Sequence, residues 1–246
     1  MKLPRFCMAL ATVFLLAGCE DLFSHAPSRD FNELIPRMLG AIKNRPPEEA
    51  AANLFNVTSP DERRDAIAYL ETKSWGHQPP YMRAYELLVT DPHPMVRAQA
   101  MRALGTSYQA EAGDYLVRGL KDEDDQVRRD AACGLVTTWN DSAIEPLILH
   151  SHPPRTPDAN PPDGEADEQV RIFAVRALAH FQTKEVVAAL IAALSDNDAA
   201  VAQFAQRSLV VASGQNFSYD TRAWQNWYQQ TYIPATATAP ATRTQP

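Results

Sequence analysis

Six histidines are scattered through this 246-residue chain, and only His150 and His152 stand close together. They open a long polar stretch, "SHPPRTPDANPPDGEADE". In an extended segment alternate side chains point the same way. Both imidazoles could then reach one metal ion, with Asp158 or Asp163 closing the site. Two solvated loop histidines are the plainer reading. An arginine row is the second chemical feature. Arg97, Arg128 and Arg171 each follow an acid by six residues, namely Asp91, Asp122 and Glu165. Such a row can bind an anion, but the acids already offer partners, which favours a structural role. The acids at 122–125 suit a helix cap better than a calcium site. No glycine-rich phosphate loop, Gly-x-Ser-x-Gly, His-Glu-x-x-His or zinc-type cysteine pair occurs. The chain is therefore expected not to be an enzyme and to need no cofactor.

These residues must be held by elements that repeat. "VRAQAMRALG" starts at Val96, and its skeleton returns at Val127, Val170 and Val201, steps of 31, 43 and 31 residues. Offset four is Ala100, Ala131, Ala174 and Ala205. Offset seven is small: Ala103, Gly134, Ala177 and Ser208. Offset eight is Leu104, Leu135, Leu178 and Leu209. Offsets 0, 4, 7 and 8 mark one face of an α-helix. Small residues let a neighbouring helix come close, and leucines fill the space between. Each copy follows an acidic or polar turn, with an apolar segment before it at 81–89, 115–120, 143–149 and 186–194. Asp and Pro in the turns supply caps and first-turn residues. The unit is a helix, a short turn and a helix, which cannot bury its stripe alone but can in a stack.

The stretch "DPHPMVRAQAMRALG" and its three echoes resemble the HEAT family, in its short bacterial form also found in phycobilisome-lyase-like proteins. The resemblance implies an all-α, right-handed α-solenoid of HEAT-like helix pairs with a C-terminal capping helix. It also implies that the acid and arginine positions form a ladder between stacked repeats: Asp91, Arg97, Asp122, Arg128, Glu165 and Arg171. Asp196 keeps the acid, but Ala202 replaces the arginine.

The best-matching span is 80–213, with an inserted loop at 151–168. That loop is expected to lie outside the core, as ornament or as a partner-contact loop. A short Gly-Ser link in place of 153–166 is then expected to leave melting near wild type. Residues 30–79 are read as N-terminal capping helices, about 30–43 and 47–55, followed by a degenerate repeat in "SPDERRDAIAYLE". That repeat opens with a capping box from Ser59 to Glu62, and Arg63, Ala66 and Leu70 match the pattern. Residues 214–233 are read as a closing helix, capped by Asp220, with Trp224, Trp227 and Tyr228 on one face. Residues 234–246 form a tail with no apolar side chain larger than alanine or proline, expected to be disordered.

At the other end, Lys2 and Arg5 precede an apolar run from Phe6 to Ala17, too short to span a bilayer comfortably. The run ends in Leu16-Ala17-Gly18-Cys19, which resembles the bacterial lipoprotein signal. That resemblance implies lipid attachment to the Cys19 thiol and cleavage before it, so that residues 1–18 are a signal peptide and 19–29 a tether. The expected location is the bacterial cell envelope, with the chain held on a membrane through lipid. Net charge is −7, and about −9 once Lys2 and Arg5 are removed. Such acidity disfavours nucleic acid and favours a basic protein partner. Cys133 falls inside a repeat helix and is expected to be a small buried residue, with too few cationic neighbours to be reactive. The leading expectation is a protein–protein interaction scaffold. The alternatives are a lyase-like protein that handles a chromophore or another small molecule, and a purely structural envelope lipoprotein.

Overall fold

The computed structural model describes residues 47–156 and 162–233. The signal, Cys19, the tether, the 30–43 helix, Asp158 and the 234–246 tail all lie outside the described residues. Eleven α-helices occur among those described: α1 Pro47–Asn53, α2 Pro60–Glu71, α3 Tyr81–Leu88, α4 Pro94–Thr106, α5 Gly113–Gly119, α6 Asp125–Leu135, α7 Ile144–Leu149, α8 Glu168–Ala177, α9 Lys184–Ala193, α10 Ala199–Ser213 and α11 Thr221–Tyr232. No strand occurs among these residues.

The helices start where capping chemistry dictates. Asp124 accepts from the amides of Gln126 and Val127, Asp198 from Ala200 and Val201, and Asp167 from Val170. α4 lacks a side-chain cap and begins on Pro94 instead, whose missing N–H costs nothing there. Ser59 caps α2 by accepting from the Glu62 amide at 3.2 Å. The return half of the box is not made, because Glu62 takes the Asn56 amide at 2.6 Å. α10 stops at Gly214, whose φ of 69° is left-handed and whose N–H donates to Val210. Glycine adopts that conformation without the Cβ penalty.

α1/α2, α3/α4, α5/α6, α7/α8 and α9/α10 form successive pairs. Each second helix also lies on the second helix of the next pair, so α2, α4, α6, α8 and α10 make one continuous layer. Val96, Val127, Val170 and Val201 are fully buried, as are all four alanines at offset four and all four leucines at offset eight. Burying each such valine or leucine contributes about 1.5–3 kcal/mol. α4 crosses α6 in close backbone approach. There a Cβ on Gly105 would sit 2.5 Å from the Gly134 Cα. The molecule is an all-helical α-solenoid.

α11 packs on α9. Trp224 is fully buried, donates its indole N–H to the Ser218 carbonyl at 2.9 Å, and meets Phe217 and Trp227 edge to face. Asp220 caps the helix through the Ala223 amide.

Candidate functional site: the arginine ladder and its inserted rung

Along one edge of the second-helix layer, arginines reach from each repeat to the next. Arg63 Nε and Nη2 both donate to Asp91 at 2.8 Å. Arg97 donates to Asp122 at 2.8 and 2.7 Å, Arg128 to Glu165 at 2.8 and 3.0 Å, and Arg171 to Asp196 at 3.0 and 3.2 Å. All four are two-pronged guanidinium–carboxylate contacts, strong and geometrically selective. The acid six residues before each arginine contributes its backbone instead. Arg97, Arg128 and Arg171 donate Nη1 to the carbonyls of Asp91, Asp122 and Glu165 at 3.0, 3.0 and 3.1 Å. The same four acids steady their own turns by accepting the amide two residues on: His93, Asp124, Asp167 and Asp198. Every guanidinium thus ties its own turn to the carboxylate of the following repeat, which leaves the row little capacity for an outside anion.

The turns also show a division of labour that the sequence reading merged. In "DED", "EAD" and "DND" the first residue is the rung acid and the third, always Asp, is the helix cap. The acid-x-Asp spacing was the available signal. A second row of cross-repeat pairs, Gln99–Glu71, Arg102–Asp130 and Arg129–Asp167, joins residues 28 or more positions apart, so no local acid–arginine spacing in the sequence signals it.

Glu165 is a buried rung, at 2% exposure. Its Oε2 also meets His150 Nδ1 at 2.9 Å, and its Oε1 accepts the Asp167 amide at 3.0 Å. Desolvation alone would raise its pKa. The hydrogen bonds from His150 and Arg128 overcome that and hold it at about 2. An ionised carboxylate only accepts, so His150 presents Nδ1–H to it. Four donors occupy Glu165, which leaves it no ready lone pair for a metal.

The two loop histidines therefore do not act together. His152 turns Nδ1 to the Pro153 carbonyl at 3.0 Å. Asp163 accepts the amides of Arg155 and Thr156. Among the described residues no three His, Cys, Asp or Glu side chains are placed to hold a metal ion.

The insertion is only partly outside the core, which corrects the sequence expectation. Ser151 and Gly164 are buried with Glu165, and the Glu165 amide donates to the His152 carbonyl at 2.9 Å. A Cβ on Gly164 would lie 2.6 Å from the Pro153 oxygen. The neck of the loop is thus built into the stack, and a Gly-Ser link over 153–166 would delete a rung. Between this neck and the α5–α6 turn lies a cavity of about 700 Å³, lined by residues that include Leu120, Lys121, Leu149, His150 and Thr156.

Cys133 is exposed, not buried. It occupies offset six of its helix, the column that holds Arg102, Arg176 and Arg207, on the open side of the layer. Partial burial by flanking side chains, with the Asp130 charge second, raises its thiol pKa. A raised pKa disfavours the nucleophilic thiolate.

Glu71 shows the opposite shift from Glu165. Desolvation lifts its pKa to about 7 against the lowering effects of Arg102 and Gln99, and its Oε2 has no hydrogen-bond partner. A carboxyl raised in the folded state contributes stability that is complete below the unfolded value and is lost as pH rises through about 7. Glu71→Gln should therefore raise the melting temperature at pH 8 and leave it nearly unchanged at pH 5. Equal effects at both values in thermal scans would show that Glu71 is not a buried acid.

Stacked helix pairs tied by an arginine–carboxylate ladder define a repeat solenoid. The HEAT repeats model matches residues 48–136 and 163–216, more than half of the chain, and the chain belongs to that family. The gap between the two matched segments contains most of the insertion. No curated protein matches the chain in sequence. Among solved structures, the complex of CpcE and CpcF of phycocyanin lyase from Nostoc sp. PCC7120 is similar, with a TM-score of 0.57 and 18% identity over 75% of this chain and 69% of that one. An engineered protein is similar at a TM-score of 0.50 and 21% identity, over 79% of this chain and 96% of its own. At these identities the likeness is one of fold.

Proposed function

We propose that this chain is a membrane-anchored HEAT-repeat protein, a non-enzymatic scaffold for protein–protein interaction at the bacterial cell envelope. The carrying observation is how the polar groups are used. Ladder arginines, rung acids and His150 are all occupied in joining repeats, so the residues best suited to chemistry hold the fold together. What remains for function is the long exposed face of a multi-repeat stack, which suits a polypeptide partner. The similar phycocyanin lyase structure is itself a complex of two chains, which supports association as the mode of action. The Leu16-Ala17-Gly18-Cys19 sequence supports the anchor, since lipid chains on Cys19 would contribute about 0.8 kcal/mol per buried methylene.

Crosslinking in cells, with wild type beside Cys19→Ser, tests both parts. Wild type is expected to partition into detergent and to recover a discrete protein, while Cys19→Ser stays soluble or unprocessed. Identical fractionation of the two would sink the anchor. Recovery of a bound small molecule and no protein would replace the scaffold with the lyase-like reading.

A further inference from the structure

The open side of the second-helix layer changes character along the array. At offset six the chain places Arg102, Cys133, Arg176 and Arg207, and at offset three of the following helices Asp130, Phe173 and Phe204. Along this diagonal Arg102 meets Asp130 at 2.9 Å, so its charge is neutralised within the protein. Two repeats later Phe204 stands where the acid would be. The Arg176 guanidinium lies 5.4 Å from the Phe173 ring centroid and 5.3 Å from that of Phe204, and Arg207 lies 5.5 Å from the same Phe204 ring. These are cation–π distances.

Among the described residues neither guanidinium has a carboxylate partner. Two like charges therefore share one aromatic ring with no counter-charge, on a protein whose net charge is −7. Arg207 is exposed, Arg176 is half-buried, and both phenylalanines are partly open. A cation–π contact holds each guanidinium near the rings without using its N–H groups as hydrogen-bond donors, which leaves them free to grip a carboxylate. One carboxylate set between them would relieve the repulsion. The surface continues to Trp139, 45% exposed and stacked on His180 at 5.1 Å between ring centroids. His180 follows Arg176 by one helical turn.

We infer that Arg176 and Arg207, held on Phe173 and Phe204 beside the Trp139–His180 stack, form a docking surface for an acidic segment of a partner protein that also carries an aromatic or apolar side chain. The partner's being a protein rests on the scaffold reading above. Its charge follows from this patch, and reverses the expectation of a basic partner drawn from net charge. The exposed acids sit elsewhere, on turns such as that of Glu123, whose side chain is 91% exposed.

Fluorescence anisotropy with a labelled peptide of alternating Glu and Tyr tests the surface, with Gln–Tyr and Lys–Tyr peptides as controls. The full chain should bind the Glu–Tyr peptide at low salt, and more weakly as salt rises. Arg176→Gln with Arg207→Gln should weaken binding by roughly tenfold or more. Arg176→Lys with Arg207→Lys should retain part of it, because charge persists while the two-pronged guanidinium grip is lost. Arg102→Gln should leave it unchanged, and circular dichroism should show every variant folded. Equal binding by the Gln double variant, no discrimination among the peptides, no binding of the Glu–Tyr peptide, or binding of citrate in its place would each overturn the assignment. Crosslinking the same double variant in cells keeps the two ideas apart. A partner recovered equally from wild type and variant sinks this surface and leaves the scaffold standing. No partner from wild type sinks the scaffold, while the peptide titration still decides the patch.

Discussion

Gly105→Ala will destabilise the array, and Gly105→Val will unfold its middle. Helix propensity alone predicts the reverse, since alanine inside a helix is favoured over glycine by about 1 kcal/mol. Packing decides the sign. The added methyl would lie 2.5 Å from the Gly134 Cα, a backbone atom that cannot rotate away. Both helices would have to separate, and the threonine contacts that bridge them, from Thr137 and Thr138 to the Gly105 carbonyl at 3.3 Å, would go too. Overpacking of this kind costs about 1–3 kcal/mol and more where backbone is the obstacle. Urea titration and circular dichroism of the two variants provide the measurement. An alanine variant as stable as wild type would mean that the two helices are not in backbone contact.

Glu165→Gln is expected to cost on the order of 3 kcal/mol at pH 7. The substitution leaves Arg128 and His150 facing a neutral amide, whose NH₂ group donates where two donors already point. Arg128 is 18% exposed in its side chain, so water offsets part of the loss, which would be larger for a fully buried pair. The pH dependence identifies the cause. Glu165 ionises at about 2 in the folded protein against an ordinary value of 4.5. Its contribution is therefore complete above about pH 4.5 and is lost as pH falls toward and through 2. Wild type and variant should differ most near neutrality and converge in strong acid. A gap that stays constant from pH 7 to pH 2 would show that the ionised carboxylate is not what holds this rung. A Gly-Ser link over 153–166 removes the same group and should lose at least as much.

The repeat register was legible because it rests on side-chain size. Valine, alanine, a small residue and leucine at offsets 0, 4, 7 and 8 can share only one helical face, and those positions are the buried ones. Pairing across repeats was harder to read. The sequence put Asp91 nearest Arg97, yet only three-dimensional stacking brings Asp122 to that guanidinium. Cys133 was misread for a simpler reason. Its column also holds Arg102, Arg176 and Arg207, and three arginines mark a face open to water. Composition points to a basic partner, but net charge averages over turns and helix faces that differ, and the proposed Arg176–Arg207 surface is one such face. The burial of Glu165 could not be foreseen from a segment rich in proline and polar residues. It follows from the neck of the loop folding back on Pro153.

The ladder is a chain of plugs and sockets, and it is blank at both described ends. At the first described turn Asn56 takes the place of a rung acid. Its side chain accepts the Thr58 amide and its carbonyl the Arg63 guanidinium, but it brings no carboxylate. At the last repeat Ala202 stands where an arginine would reach onward, and α11 follows. Identical repeats that join head to tail could continue from one molecule into the next, and such open, non-closing contacts build filaments. At the two described ends neither charge of a further rung is present. The missing arginine and the missing acid thus leave the described ladder with no socket at one end and no plug at the other.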